Sequence, residues 1–167
     1  MSKPKSKHEF TDPDQVTGPI ISVRFLVSLL VIAAGIAYVV IWTQYDRELW
    51  TFEHDLSAKP GDEPAPMFGF MKDLTHWNWL IGFGLVFLGL SLAAHPKTPL
   101  GRGRGVIVGM LGCFLIGLIW ICVFYVFADK LASEPNSIWL LGSLGQLNLL
   151  VGIGFMAVGF TYATRWE

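Results

Sequence analysis

The chain has 167 residues, of which 53% are apolar, 14% aromatic and only 15% charged; its formal net charge is −1 and its mean hydropathy +0.51. A soluble domain carries about 25% charged residues, so too little charge is present to coat a water-facing surface. Disorder and a basic nucleic-acid binder are excluded by the same numbers, and two cysteines exclude a disulfide scaffold, which leaves an integral membrane protein with no nucleic-acid partner.

In chain order, a polar tail (1–18) with Lys3, Lys5 and Lys7 precedes a first apolar stretch, expected to span at about 22–43. No cleaved signal peptide is expected, since the leading residues are mostly polar and no small-residue cleavage site follows the stretch. A loop over 44–74 carries Gly61, Pro64 and Pro66 and reads as irregular. A second span is expected at about 75–94, a third at 106–128 and a fourth within 145–164. Each stretch is apolar all round, which suits lipid and not a half-buried soluble helix. Between the second and third lies 95–105, with Pro96, Pro99 and alternating Gly and Arg, read as a short flexible linker.

Eight of the twelve basic residues fall on one side of this layout: Lys3, Lys5, Lys7, Arg24, Lys97, Arg102, Arg104 and Arg165. The first loop is acidic, with Asp46, Glu48, Glu53, Asp55, Asp62, Glu63 and Asp73. Positive charge stays inside, so both termini and the linker are expected in the cytoplasm and the other loops outside. Trp42, Tyr45, Trp50, Trp77, Trp79, Trp139 and Trp166 fall where rings meet the headgroup zone.

The chain reads as two copies of one hairpin, 19–94 and 106–167. A shift of 82 places Gly35 on Gly117, Tyr38 on Trp120 and Trp42 on Phe124. A shift of 70 pairs Leu74 with Leu144, Asn78 with Asn148, Leu80 with Leu150, Gly82 with Gly152, Gly84 with Gly154 and Gly89 with Gly159. Lipid does not demand Asn or Gly, so these carry the signal. Each copy runs inside–out–inside, which makes the repeats parallel, about an axis along the membrane normal. The expected fold is an all-α, integral membrane four-helix bundle. By analogy with the second span, the fourth helix should begin near Gly145, leaving 138–144 at the outer interface.

The candidate packing or partner contacts are Asn78, Asn148, Gly82, Gly84, Gly89, Gly117, Gly152, Gly154 and Gly159. The asparagines suit either a hydrogen bond between spans or an N-terminal cap. Small residues four apart (Ala33/Ala37, Gly89/Ala93, Gly105/Gly109, Gly159/Ala163) let backbones approach, within the bundle or toward a partner.

Nothing points to catalysis, a metal or a cofactor. His76 and His95 bracket one helix, about 28 Å apart, and Cys113 and Cys122 stand about 13.5 Å apart along another. Phosphate-loop and nucleophile-elbow motifs do not occur. Coupled transport usually needs a charge within the membrane, and Arg24 at the inner edge is the one candidate. A small four-span transporter or channel is therefore the alternative to a non-enzymatic assembly protein.

The segment Leu115-Ile116-Gly117-Leu118-Ile119-Trp120, with Val123-Phe124-Tyr125, resembles the first span of the CrgA cell-division proteins of actinobacteria. Leu144-Gly145-Gln146-Leu147-Asn148 and Gly154-Phe155-Met156-Ala157-Val158-Gly159 resemble their second span, and the ending Arg165-Trp166 and the opening Ser2-Lys3-Pro4-Lys5-Ser6-Lys7 are similar as well. The second copy carries the better likeness. Family members typically have one two-span hairpin, so this chain departs by having two; a fusion would hold at high effective concentration a pair that otherwise self-associates, and a homo-oligomer stays open. The resemblance implies a septation regulator in the bacterial plasma membrane, multi-pass and enriched at division septa. Its implied partners, besides membrane lipids, are FtsZ-, FtsQ- and FtsI-type divisome proteins.

Overall fold

The computed structural model describes residues 22–59, 61–134 and 137–164; the basic tail and the closing Arg165 and Trp166 lie outside them. The described residues hold no strand; their helices are α1 (Val23–His54), α2 (Phe70–Leu74), α3 (Trp77–Ala93), α4 (Arg104–Val126), α5 (Ala128–Ser133), α6 (Trp139–Leu144) and α7 (Leu147–Ala163), with a 3-10 turn at Pro99–Gly101.

α1 starts at Ser22, whose hydroxyl accepts the Phe25 N–H at 3.2 Å. Expected to stop near residue 43, it runs on to His54. The added turns contain no Gly or Pro, and they close local bonds: Thr43 donates to Val39 O and Thr51 to Arg47 O, at 2.7 and 2.8 Å. The rings of Trp50 and His54 stack with centroids 4.0 Å apart. At 1.5 Å per residue α1 is about 48 Å long, well beyond a hydrocarbon core of about 30 Å. The loop expected to be irregular from residue 44 is therefore helical to His54, and loses helix only before Phe70.

Both long helices that return are preceded by a short one and a sharp corner. α2 ends at Thr75 (φ 41°, ψ −115°) and α6 at Gly145 (φ 50°, ψ −127°). These corners are 70 residues apart, the same shift that pairs Asn78 with Asn148. Glycine accepts this conformation at little cost, whereas Thr75 is β-branched and strained there. α7 opens close to Gly145, with α6 set apart before it.

The linker is folded rather than flexible. The Thr98 hydroxyl donates to the carbonyls of Ala93 and His95 and accepts the Gly101 N–H, so it closes the C-terminal end of α3. A Cβ on Gly101 would collide with the His95 carbonyl, and one on Gly105 with that of Pro99. The glycines that suggested mobility instead permit close backbone approach.

α1 packs along α3 and α4 along α7, while α3 also meets α7 and α1 meets α6. Small or polar residues fill these seams: Ser28, Gly35 and Thr43 on α1, Asn78, Gly82 and Gly89 on α3. Large apolar side chains such as Leu30, Ile36, Leu88, Leu115, Ile119 and Phe160 face outward. A protein in water buries such groups. Val23–His54 and Arg104–Val126 are long and apolar enough to cross a membrane; Trp77–Ala93 and Leu147–Ala163 are apolar but shorter, at 17 residues.

Candidate helix-packing and interaction site

Asn78 and Asn148 are wholly buried, each in the first turn of its helix. The Asn78 amide donates to Met71 O and Thr75 O, and the Asn148 amide to Leu141 O and Gly145 O, all at 2.8 Å. Every partner in one copy is 70 residues from its counterpart in the other. Each amide thus stitches a short helix to the long one across the corner, satisfying carbonyls that a helix end leaves open. A side-chain N-cap would instead accept an N–H of its own helix, and neither asparagine does so.

The glycines bring backbones together. A Cβ on Gly35 would lie 2.8 Å from Val86 N and 2.9 Å from Gly82 O; one on Gly117 would lie 2.6 Å from Gly152 O. Gly82 faces Val39, Gly89 faces Ile32 and the Ser28 carbonyl, Gly152 faces Ile121, and Gly159 faces Phe114. Gly154 meets the Phe87 ring of the other hairpin. A Cβ on Gly84, its counterpart, would meet nothing within 4 Å among the described residues beyond its own helix; Gly84 lines an apolar groove of about 580 Å³ with Trp77, Leu80, Leu147 and Leu150.

One polar link differs between the copies. The Tyr38 hydroxyl donates to Asn78 Oδ1 at 2.6 Å, tying α1 to α3. The counterpart of Tyr38 is Trp120, and both its Nε1 and the Asn148 Oδ1 are buried without a partner among the described residues. Leaving such groups unmade costs about 1–3 kcal/mol each. The Trp120 ring instead turns its edge to Phe83 of the first hairpin, with centroids 6.2 Å apart and planes at 78°.

Further contacts join the hairpins. Phe87 and Phe155 meet edge to face at 5.2 Å, and the Tyr162 hydroxyl donates to Leu90 O at 3.0 Å. Beyond the apolar stretch of α1, Asp46 shares a hydrogen bond with Ser143. Burial pushes the Asp46 carboxyl above its ordinary range; the Ser143 bond and His76 pull it back, while Glu53 adds to the rise. Lys72 pairs with Glu63 at 2.8 Å, both side chains exposed, in the segment between α1 and α3. Cys113 and Cys122 are free thiols, and the described residues hold no cluster of three His, Cys, Asp or Glu placed for a metal.

Sequence reasoning missed Tyr38 as the partner of Asn78, and it missed the corner at Thr75. The alignment of Tyr38 with Trp120 held the first signal. The second was hidden because Thr75 and Gly145 share a conformation without sharing a residue type.

A family model described as "Cell division protein CrgA" matches residues 94–167, a range that takes in α4 to α7. Among curated relatives, the cell division protein CrgA of Streptomyces avermitilis is 41% identical over 71 residues, covering 42% of this chain and 75% of that protein. The protein of the same description from Mycobacterium sp. strain KMS is 34% identical over 57 residues, covering 34% of this chain and 61% of that protein. No solved structure matches the chain. On the strength of this similarity in its second hairpin, the chain belongs to the CrgA family of cell division proteins.

Proposed function

We propose that the chain is a non-enzymatic membrane component of the cell-division machinery. Its family membership, carried by residues 94–167, is the observation that supports this reading most strongly. The membrane part is supported by the inverted burial, with Asn, Ser and Thr inside and Leu, Ile and Phe outside. In lipid, every backbone polar group must be satisfied within the protein, and the asparagine-stitched corners meet that demand.

In this reading α1, α3, α4 and α7 are four spans of one bundle, formed by two hairpins of the same orientation. Both termini and the linker face the cytoplasm, and Asp46, Glu63, Lys72 and Ser143 lie outside. α3 and α7, at 17 residues each, reach about 25 Å, and α2 and α6 complete the crossing at the outer interface. The tail and linker offer basic contacts to FtsZ-ring proteins, and the spans pair with those of FtsQ- and FtsI-type proteins. The two hairpins in one chain stand in for a pair of separate ones.

The test is deletion of the gene in its host and imaging of a fluorescent fusion. Misplaced or ill-timed septa, with the fusion enriched at septa, are the expected results. A fusion spread evenly over the membrane, in a host whose septa are unchanged by the deletion, would overturn the proposal.

A further inference from the structure

Two cavities adjoin beside the start of α3. One, of about 360 Å³, sets acids among rings: Asp46, Glu53 and Glu63 line it with Trp42, Tyr45 and Trp79. The other is the apolar groove of about 580 Å³ beside Gly84. His76 and Trp79 line both, so the polar recess continues into the groove. Along α3 the groove runs from Trp77 to Phe87. That is about 15 Å at 1.5 Å per residue, or half of a hydrocarbon core of about 30 Å. An apolar slot one leaflet deep, with a polar recess at one end, has the shape of a phospholipid. The repeat explains why the slot is open. Phe87 fills the space beside Gly154, but its counterpart 70 residues on is Ala157, too small to do the same beside Gly84.

The recess specifies the headgroup. Lys72, also in its wall, is paired with Glu63, which leaves Asp46 and Glu53 as its other acids. Glu53 and His76 both act electrostatically on Asp46. An anionic headgroup is repelled by such a pair of carboxylates, whereas an ammonium bonds to them and is attracted by the neighbouring rings. A separate observation calls for an acceptor. Trp42 is only 5% exposed, and its indole N–H has no hydrogen-bond partner among the described residues. A buried donor left unpaired is costly. We propose that the two cavities bind one phospholipid of the phosphatidylethanolamine class. Its ammonium lies at Asp46 and Glu53, a phosphate or ester oxygen accepts the Trp42 N–H, and one acyl chain follows the groove past Gly84.

The inference rests on the membrane-spanning reading, so resistance of the chain to alkaline extraction from membranes is measured alongside. The test is native mass spectrometry of the full chain in detergent micelles, titrated with phosphatidylethanolamine or phosphatidylglycerol of the same acyl chains. Phosphatidylethanolamine adducts are expected to exceed those of phosphatidylglycerol. Asp46→Asn should weaken them about tenfold, the size of one lost bond to a charged group, and Trp42→Phe about fivefold, for one neutral bond. Gly84→Leu puts a side chain into open space, so it should spare the fold. It should weaken both lipids about tenfold, the loss for two methylenes left unburied. Equal adducts for the two lipids, or no loss in Asp46→Asn and Gly84→Leu, would overturn the site even if the chain resists extraction. A chain released by alkali would overturn the membrane reading and the site with it. Displacement of the lipid by an equal concentration of free phosphoethanolamine would show that the groove holds no acyl chain and overturn the lipid as the ligand. Dimers that Gly84→Leu dissociates, with lipid adducts unchanged, would assign the groove to a second copy of the chain and overturn it too.

Discussion

The two hairpins share a backbone device and differ in one side-chain bond. In both, an asparagine ties a short helix to a long one across a corner of positive φ, and a glycine contact closes the seam. Among the described residues, only the first adds a direct side-chain bond between its two long helices, Tyr38 to Asn78. The second puts Trp120 there, leaves two buried polar atoms without a partner among the described residues, and gains an aromatic contact with the first hairpin. The shared parts serve needs that lipid imposes on any hairpin: satisfied carbonyls and close backbones. The differing part serves the join between the copies, which have ceased to be interchangeable.

Substitutions can break or sharpen this contrast. The largest effect is expected from Gly35→Leu and Gly117→Leu, which drive a side chain into opposing backbone. Each should lose about 3 kcal/mol, at the upper end for overpacking, measured by reversible unfolding in micelles. Next, Asn78→Leu and Asn148→Leu should both destabilise. Asn78→Leu should cost more by about 1 kcal/mol, because it also strands the Tyr38 hydroxyl. Equal losses would mean that the Tyr38 bond contributes nothing.

The bond itself is tested by exchange. Tyr38→Phe should lose about 0.6–1.7 kcal/mol, the range of hydrogen bonds between spans. Trp120→Tyr supplies a hydroxyl for Asn148 Oδ1; in a hairpin 2 fragment that folds alone it should stabilise, and in the full chain this gain should be offset by loss of the Phe83 contact. The smallest effect is at Asp46. Its folded-state carboxyl titrates above the ordinary 3.8, so the folded state holds the proton to higher pH than the unfolded chain does. Its contribution to stability is thus most favourable below that value and declines as pH rises through the folded value. Asp46→Asn should flatten this part of the pH–stability curve and be neutral or slightly stabilising at pH 7.

Apolar runs and their aromatic borders made the helices legible, because a span must be apolar along its whole length. The recurring Asn and Gly made the repeat legible, because lipid gives no other reason for them. The end of α1 was not legible: the continuous apolar run stops near Trp42, while ordinary helix formers and local hydroxyl bonds prolong the helix from Thr43 to His54. The linker was misread because glycine permits both mobility and tight packing, and Thr98 decides for packing. Among the candidate contacts, the roles of Asn78 and Asn148 depend on carbonyls seven residues earlier, which spacing within a straight helix does not bring into view. Gly84 and Gly154 occupy one repeat position, yet only Gly154 touches a neighbour, because the ring of Phe87 reaches one side of the join.

Two hairpins of one orientation in one membrane are tested most directly by cysteine accessibility. Cys113 and Cys122 are first replaced by alanine, and single cysteines are placed at Ser57, Lys97 and Lys130 in intact cells. Labelling by an impermeant maleimide at 57 and 130, and at 97 only after permeabilisation, is the predicted result. Labelling at 97 from outside, or 57 and 130 on opposite sides, would contradict it.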